Sequence, residues 1–125
     1  MLQLRTLAMV VITFLIGAAS LSAADISGTW KASFDTQVGQ QNYTYTFVVK
    51  EGVLTGKIQS DMGGTSDIHD GKIDGDKVSF VENLKFQDMD IQITYTGKVV
   101  SADEIKFTRQ VADFATEELV AKRAK

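Results

Sequence analysis

Glu82 is the first residue in this chain whose type and position suggest chemistry. It falls in phase with Val78, Phe80, Leu84 and Phe86, so alternation would turn a carboxylate into an apolar wall. A carboxyl group in such a wall must be paired or carry a raised pKa, and groups of that kind often do functional work. If the strand instead ends at Val81, Glu82 lies on a solvated loop. Arg109 follows the same logic, in phase with Ile105 and Phe107. It could donate to an anion or a sugar hydroxyl at a site mouth. Its simpler role is an ion pair with Glu82 or another acid at the rim. Tyr43, Tyr45 and Tyr95 share an inward phase with Trp30. Buried phenols need hydrogen-bond partners, so these residues read either as a polar-flecked ligand cavity or as a filled core.

Other candidate chemistry is thinner. His69 is the single histidine and is flanked by Asp67 and Asp70. With no second histidine and no cysteine, this reads as a solvated turn, and no metal site is expected. No serine sits in a nucleophile-elbow context. Paired carboxylates for glycoside hydrolysis would have to combine Glu82 with Asp88 or Asp90, whose type and setting suit a turn.

The elements that must position these residues are strands. Ile26 to Phe34 opens with strict alternation: Gly28, Trp30, Ala32 and Phe34 against Thr29, Lys31 and Ser33. Tyr43, Tyr45, Phe47 and Val49 alternate within Asn42 to Lys50. Further strands are expected over Val53 to Ser60, Thr65 to Ile73 (with a bend at Asp70-Gly71), Lys77 to Phe86, Ile91 to Val100, Glu104 to Val111 and Glu117 to Lys125. The last stretch has helical propensity, but a strand there would cover the open edge of the first. The motif Gly-Lys-apolar recurs at Gly56-Lys57-Ile58, Gly71-Lys72-Ile73 and Gly97-Lys98-Val99. Short acidic or glycine turns between successive strands imply an all-β, eight-stranded, antiparallel up-and-down barrel.

The chain is 125 residues long and contains no cysteine and no proline. Arg5, the apolar run Leu7 to Ala18 and the small residues Ser20 to Ala24 read as a signal peptide over residues 1–24, with cleavage before Asp25. Residues 25–125 then form one periplasmic or secreted domain without disulfides or thiolate metal sites. The formal net charge is −3 before loss of Arg5, which makes nucleic acid and anionic membrane poor partners.

Gly28-Thr29-Trp30 near the start and Arg123 near the end resemble the lipocalin and avidin superfamily. That resemblance implies a tryptophan closing one end of a barrel against a late-strand arginine. Ile26 to Trp30, Leu54-Thr55-Gly56 and Ser60 are similar to the opening strands of avidin-type proteins. Trp30 is the sole tryptophan, however, so the biotin-walling residues are missing and biotin is not expected. Residues 71–80 and 121–123 also resemble a group of small exported bacterial β-barrel domains of unsettled function. The leading expectation is a barrel binding a small, partly apolar ligand through Trp30, Tyr43, Tyr45, Phe47, Phe80, Tyr95 and Phe107, with Glu82 and Arg109 orienting it. No cofactor is expected, and a homo-oligomer is compatible with the likeness to avidins. The alternatives are a hydrolase of a carbohydrate-type substrate using Glu82, and a packed interaction module with an apolar patch around Leu84, Phe86 and Met89.

Overall fold

A computed structural model describes residues 25–61 and 64–125. The expected signal peptide lies outside the described residues. Eight strands follow one another: β1 (Gly28–Thr36), β2 (Gly39–Lys50), β3 (Val53–Ser60), β4 (Thr65–Asp74), β5 (Lys77–Phe86), β6 (Met89–Ser101), β7 (Glu104–Val111) and β8 (Ala115–Arg123). Each pairs antiparallel with the next, and β8 pairs with β1, so the sheet closes into an up-and-down barrel. The segment with helical propensity is strand β8, because it finds backbone partners on β7 and, through closure, on β1.

Several boundaries differ from the sequence expectation, for local reasons. Gly39, Gln40 and Gln41 continue the β1–β2 ladder, which leaves Gln37-Val38 as the turn. Met89 and Asp90 likewise pair with Phe86 and Lys85, leaving the two-residue turn Gln87-Asp88. Both of those turn residues have positive φ, as do Glu51 and Gly52, the twist that tight hairpins require. The expected bend in β4 is present. Asp70 has a φ of 52°, and the register with β5 shifts between His69 and Lys72. Ile26 precedes β1 and lies buried beneath the barrel, while β8 begins two residues earlier than expected and ends at Arg123.

The recurrent Gly-Lys motif has a steric cause. A Cβ on Gly56 would collide with the Thr46 carbonyl, one on Gly71 with the Leu54 carbonyl, and one on Gly97 with the Phe107 ring. Gly56 and Gly97 sit directly opposite Phe47 and Phe107 in the ladders. Missing side chains here let neighbouring strands close up and let large rings fill the interior.

Alternate turns fall at the same end of an up-and-down barrel. One end, the base, carries the turns at Glu51-Gly52, Gly75-Asp76 and Ala102-Asp103 together with the chain ends. It is plugged by Ile26 and Trp30. The Trp30 indole donates to the Ile26 carbonyl at 2.9 Å, and the Arg123 guanidinium lies 4.6 Å from the Trp30 ring centroid. Arg123 also donates to the carbonyls of Ala102, Ser27 and Asp25. The other end, the mouth, carries the turns at Gln37-Val38, Gln87-Asp88 and 112–114, with the end of β3 and the start of β4.

Candidate functional site

The middle of the barrel is filled. Tyr43, Tyr45 and Phe47, two residues apart on β2, stack in a column with successive ring centroids 5.8 Å apart. Phe80 and Tyr95, opposite each other on β5 and β6, stack at 4.3 Å. Phe107 meets Tyr95 edge to face at 5.8 Å, and Trp30 lies 6.4 Å from Phe47. Trp30, Tyr45, Phe47, Phe80, Tyr95 and Phe107 are each 0–2 % exposed. A void large enough for water would leave accessible surface on its walls, so these six rings pack on one another rather than around a central cavity.

Above this aromatic plug lies a polar layer. Glu82 is 1 % and Arg109 3 % exposed; they are the two buried members of the Asp, Glu, Lys and Arg set among the described residues. Both therefore point inward, as their phase requires. Arg109 Nε donates to the Tyr95 hydroxyl at 2.9 Å, and Nη2 donates to the Tyr43 hydroxyl at 2.8 Å. Its Nη1 donates to the Glu117 carboxylate, directly across the β7–β8 ladder. Tyr95 donates to Glu82 Oε1 at 2.9 Å. A phenol has one proton, so Tyr45, 3.0 Å away, must be the donor to Tyr95. Glu82 Oε1 lies 3.8 Å from Arg109 Nη2, and Ser66 hydrogen-bonds Glu82. The guanidinium also rests 5.0 Å from the Tyr43 ring centroid and 5.3 Å from that of Phe34.

Burial sets the charges of this layer. It pushes the Glu82 carboxyl above its ordinary pKa, against the opposing pull of Arg109, Tyr95 and Ser66. It raises Tyr43 to about 12, with the Glu82 charge adding and Arg109 subtracting. Tyr45 and Tyr95 rise further, again chiefly through burial. For Arg109 burial acts downward, but Tyr95, Tyr43 and Glu82 together hold it above its ordinary value. No buried side-chain polar atom among the described residues lacks a partner.

Arg109, Tyr43 and Glu117 are also exposed to a space. They form the floor of a cup of about 180 Å³ at the mouth, walled by Val38, Leu84, Ile91, Val111 and Phe114 with Thr36, Gln37 and Gln41. A wider groove of about 910 Å³ lies over the β1–β8 seam, but outward side chains such as Lys31, Asp35, Lys106 and Glu118 contribute to it. The cup is the better candidate, because it joins apolar walls to converging polar groups. Glu82 does not line it. Glu82 borders a cleft of about 170 Å³ between the end of β3, the start of β4 and β5, with its own carboxylate engaged by Tyr95 and Ser66.

The nine residues expected at a site thus separate. Tyr43 and Arg109 reach the cup, Glu82 supports them from below, and the other six rings form the plug. Asp90 is opposite Lys85 and therefore faces outward, away from Glu82, and Asp88 is a turn residue, so the carboxylate pair suggested for hydrolysis is not assembled. His69 is exposed, Asp67 is engaged by Lys57 at 2.6 Å, and no group of three potential metal ligands occurs among the described residues. Glu117 was not among the expected site residues, although it shares the phase of Leu119 and Ala121. Val38 and Phe114 were also missed, because turn residues carry no phase. Met89 is half-exposed at the rim and Leu84 lines the cup; the Phe86 side chain lies outside the described residues. Comparison of the chain with protein-family models, with curated proteins and with solved structures finds no match.

Proposed function

We propose that this protein is an exported binding barrel that takes a small, partly apolar ligand in the mouth cup, not in the barrel centre. The observation that carries this reading is Arg109, 3 % exposed and oriented by Tyr95, Tyr43 and Glu117 so that it floors a cup with apolar walls. A ligand's apolar part would contact Leu84, Ile91, Val111 and Phe114. Its polar atoms would meet Tyr43, Arg109 and Glu117. The volume suits one ring or a short chain, below the roughly 300 Å³ at which drug-sized sites begin.

The test is an amide and methyl NMR titration of residues 25–125, which contain all eight strands, with benzyl alcohol as probe. Shifts confined to residues 36–43, 91–93 and 109–117, and abolished by filling the cup with Ala115→Trp, support the reading. Shifts scattered over the surface, or none at saturating probe, reject it. A second reading, docking of a protein partner on the rim, is favoured by Val38, Met89 and Phe114, which are 60, 52 and 59 % exposed. It predicts loss of binding to a cognate partner in Val38→Ser/Phe114→Ser without loss of the benzyl alcohol shifts.

A further inference from the structure

We infer that the seam between β1 and β8 docks an extended segment of a partner polypeptide as an added strand. The inference is independent of the mouth cup. Two features of the seam lead there.

The first is unpaired backbone. β1 and β8 pair through Trp30 with Arg123 and Lys31 with Lys122, and the Ala124 amide donates to the Thr29 carbonyl at 2.8 Å. Towards the mouth this pairing stops. Successive residues of a strand direct their N–H and C=O groups to opposite edges. The Arg123 amide donates to the carbonyl of Asp103, just before β7, so Thr116, Glu118 and Val120 turn their groups towards β1. Asn42, opposite Ser33 on β2, directs both of its backbone groups to Asp61, so Ser33 and Asp35 turn theirs towards β8. Among the described residues no ladder takes up these five residues' groups on the seam side. Ser33, Asp35, Glu118 and Val120 line the groove of about 910 Å³ over the seam. The inward-facing Phe34 and Leu119 reach the same groove, so its two lips stand apart there. Free strand edges are templates for another strand. Donors and acceptors repeating at strand spacing along both lips call for an extended backbone, not a compact ligand. The β8 lip offers three residues and the β1 lip two, so an added strand pairs chiefly with β8.

The second is charge. Lys31, Lys106 and Lys122 line the base half of the groove, and Asp35 and Glu118 its mouth half. Lys31 and Lys122 stand directly opposite each other, an unfavourable pairing of like charges. Among the described residues none of the three lysines is held in a salt bridge. Ser33 and Val120 lie between the two halves. A complementary strand therefore carries on its outer face an acid at the base end, an apolar residue in the middle and a base at the mouth end. Its inner face lies over Ala32 and Ala121 and takes small residues.

The experiment titrates residues 25–125 with the peptide acetyl-Glu-Ala-Val-Ala-Lys-amide at low ionic strength and follows backbone amides by NMR. The amides of Ser33, Asp35, Thr116, Glu118 and Val120 should shift. The same peptide N-methylated at glutamate, valine and lysine lacks the donors that face β8 and should bind more than about tenfold more weakly. The neutral peptide with glutamine at both ends should bind about fivefold more weakly. Val120→Pro removes a seam-facing N–H that β7 does not use, and should abolish the shifts while leaving the amides of β5 and β6 in place. If that variant does not fold, the methylated peptide still decides. Shifts elsewhere, no shift at any soluble concentration, or equal binding of the methylated peptide overturn the inference. Equal binding of the neutral peptide overturns the charge pattern. If the same amides shift with protein concentration alone and sedimentation shows a dimer, the occupant is a second copy of this chain and the inference falls.

Discussion

Replacing Arg109 by Met keeps an unbranched, flexible stem and removes the guanidinium with its charge, and the structure fixes what that should cost. Glu82 is 1 % exposed and Glu117 10 % exposed at the side chain, so both carboxylates would lose a buried countercharge. Tyr95 and Tyr43 would each lose a donor. Breaking a buried pair by removing one partner costs about 3–5 kcal/mol, a large share of the roughly 5–15 kcal/mol that holds a small domain folded. The penalty should also depend on pH. Glu82 already has a folded pKa above its ordinary value of 4.5, and Arg109 is the strongest influence holding it down. A raised carboxyl contributes stability that is complete below the unfolded pKa and is lost as pH rises through the folded one. Without Arg109 the folded pKa climbs further, so the variant goes on losing stability after the wild type has stopped. The gap should therefore widen with pH above the wild-type value, by up to about 1.4 kcal/mol per pH unit. Urea unfolding followed by the fluorescence of Trp30, the sole tryptophan, at a series of pH values measures this directly. Adding Glu82→Gln should remove the widening and leave the constant part. A loss below about 1 kcal/mol, or a gap that does not change with pH, would refute the claim that the Arg109–Glu82 layer holds the mouth together.

Three further expectations follow from the same geometry. All three tyrosines of the chain are in the buried cluster, so the folded protein should show no tyrosinate absorbance step near pH 10. Tyr43 should ionise near 12, its contribution of about 2–3 kcal/mol being complete below pH 10 and lost as pH rises through 12; a normal step in the native state would contradict this. Gly97→Ala should destabilise by about 1–3 kcal/mol, because its methyl meets the Phe107 ring, while Gly56→Ala should be worse, since its methyl meets a backbone carbonyl; denaturation midpoints rank the two. Arg123→Lys cannot bridge the carbonyls of Ala102, Ser27 and Asp25 together, and should lose about 2 kcal/mol with a red shift of Trp30 emission; unchanged emission and midpoint would deny Arg123 its place in the base.

The barrel was legible because its two physical signals agree. Period-two alternation marks the walls, and acidic or glycine turns mark the corners, so the bounds of β3, β5 and β7 match the sequence reading. Where a polar stretch can either turn or pair, alternation is silent, and Gly39 to Gln41 and Met89-Asp90 paired. The inward phase of Glu82 and Arg109 was also readable. Whether the inward rings surround a space or fill it was not, since that depends on how rings from non-adjacent strands stack across the interior. Tyr45, for example, meets Phe107 at 6.4 Å from the far side of the barrel. Glu117 could have been found by extending the phase of β8 back from Leu119. The cup walls at Val38 and Phe114 could not, because they come from turns that only closure brings together.

The ring of strands has one thin joint. Seven ladders run for five or more paired residues, whereas β1 and β8 pair only through Trp30 with Arg123 and Lys31 with Lys122. The two arginines bracket that joint. Arg123 clamps its lower end, and Arg109 reaches from β7 past it to Tyr43 on β2 at its upper end. Closure of the cylinder thus rests on a short backbone ladder, extended by the Ala124 amide donating to the Thr29 carbonyl, together with two arginine side chains. The first and last strands are also the most distant in sequence, so their meeting carries the largest loop-closure entropy and comes late in folding. Read in reverse, the cylinder unrolls from this joint, and the amides of residues 32–36 and 115–121 are the ones whose hydrogens solvent should reach before those of β5 and β6.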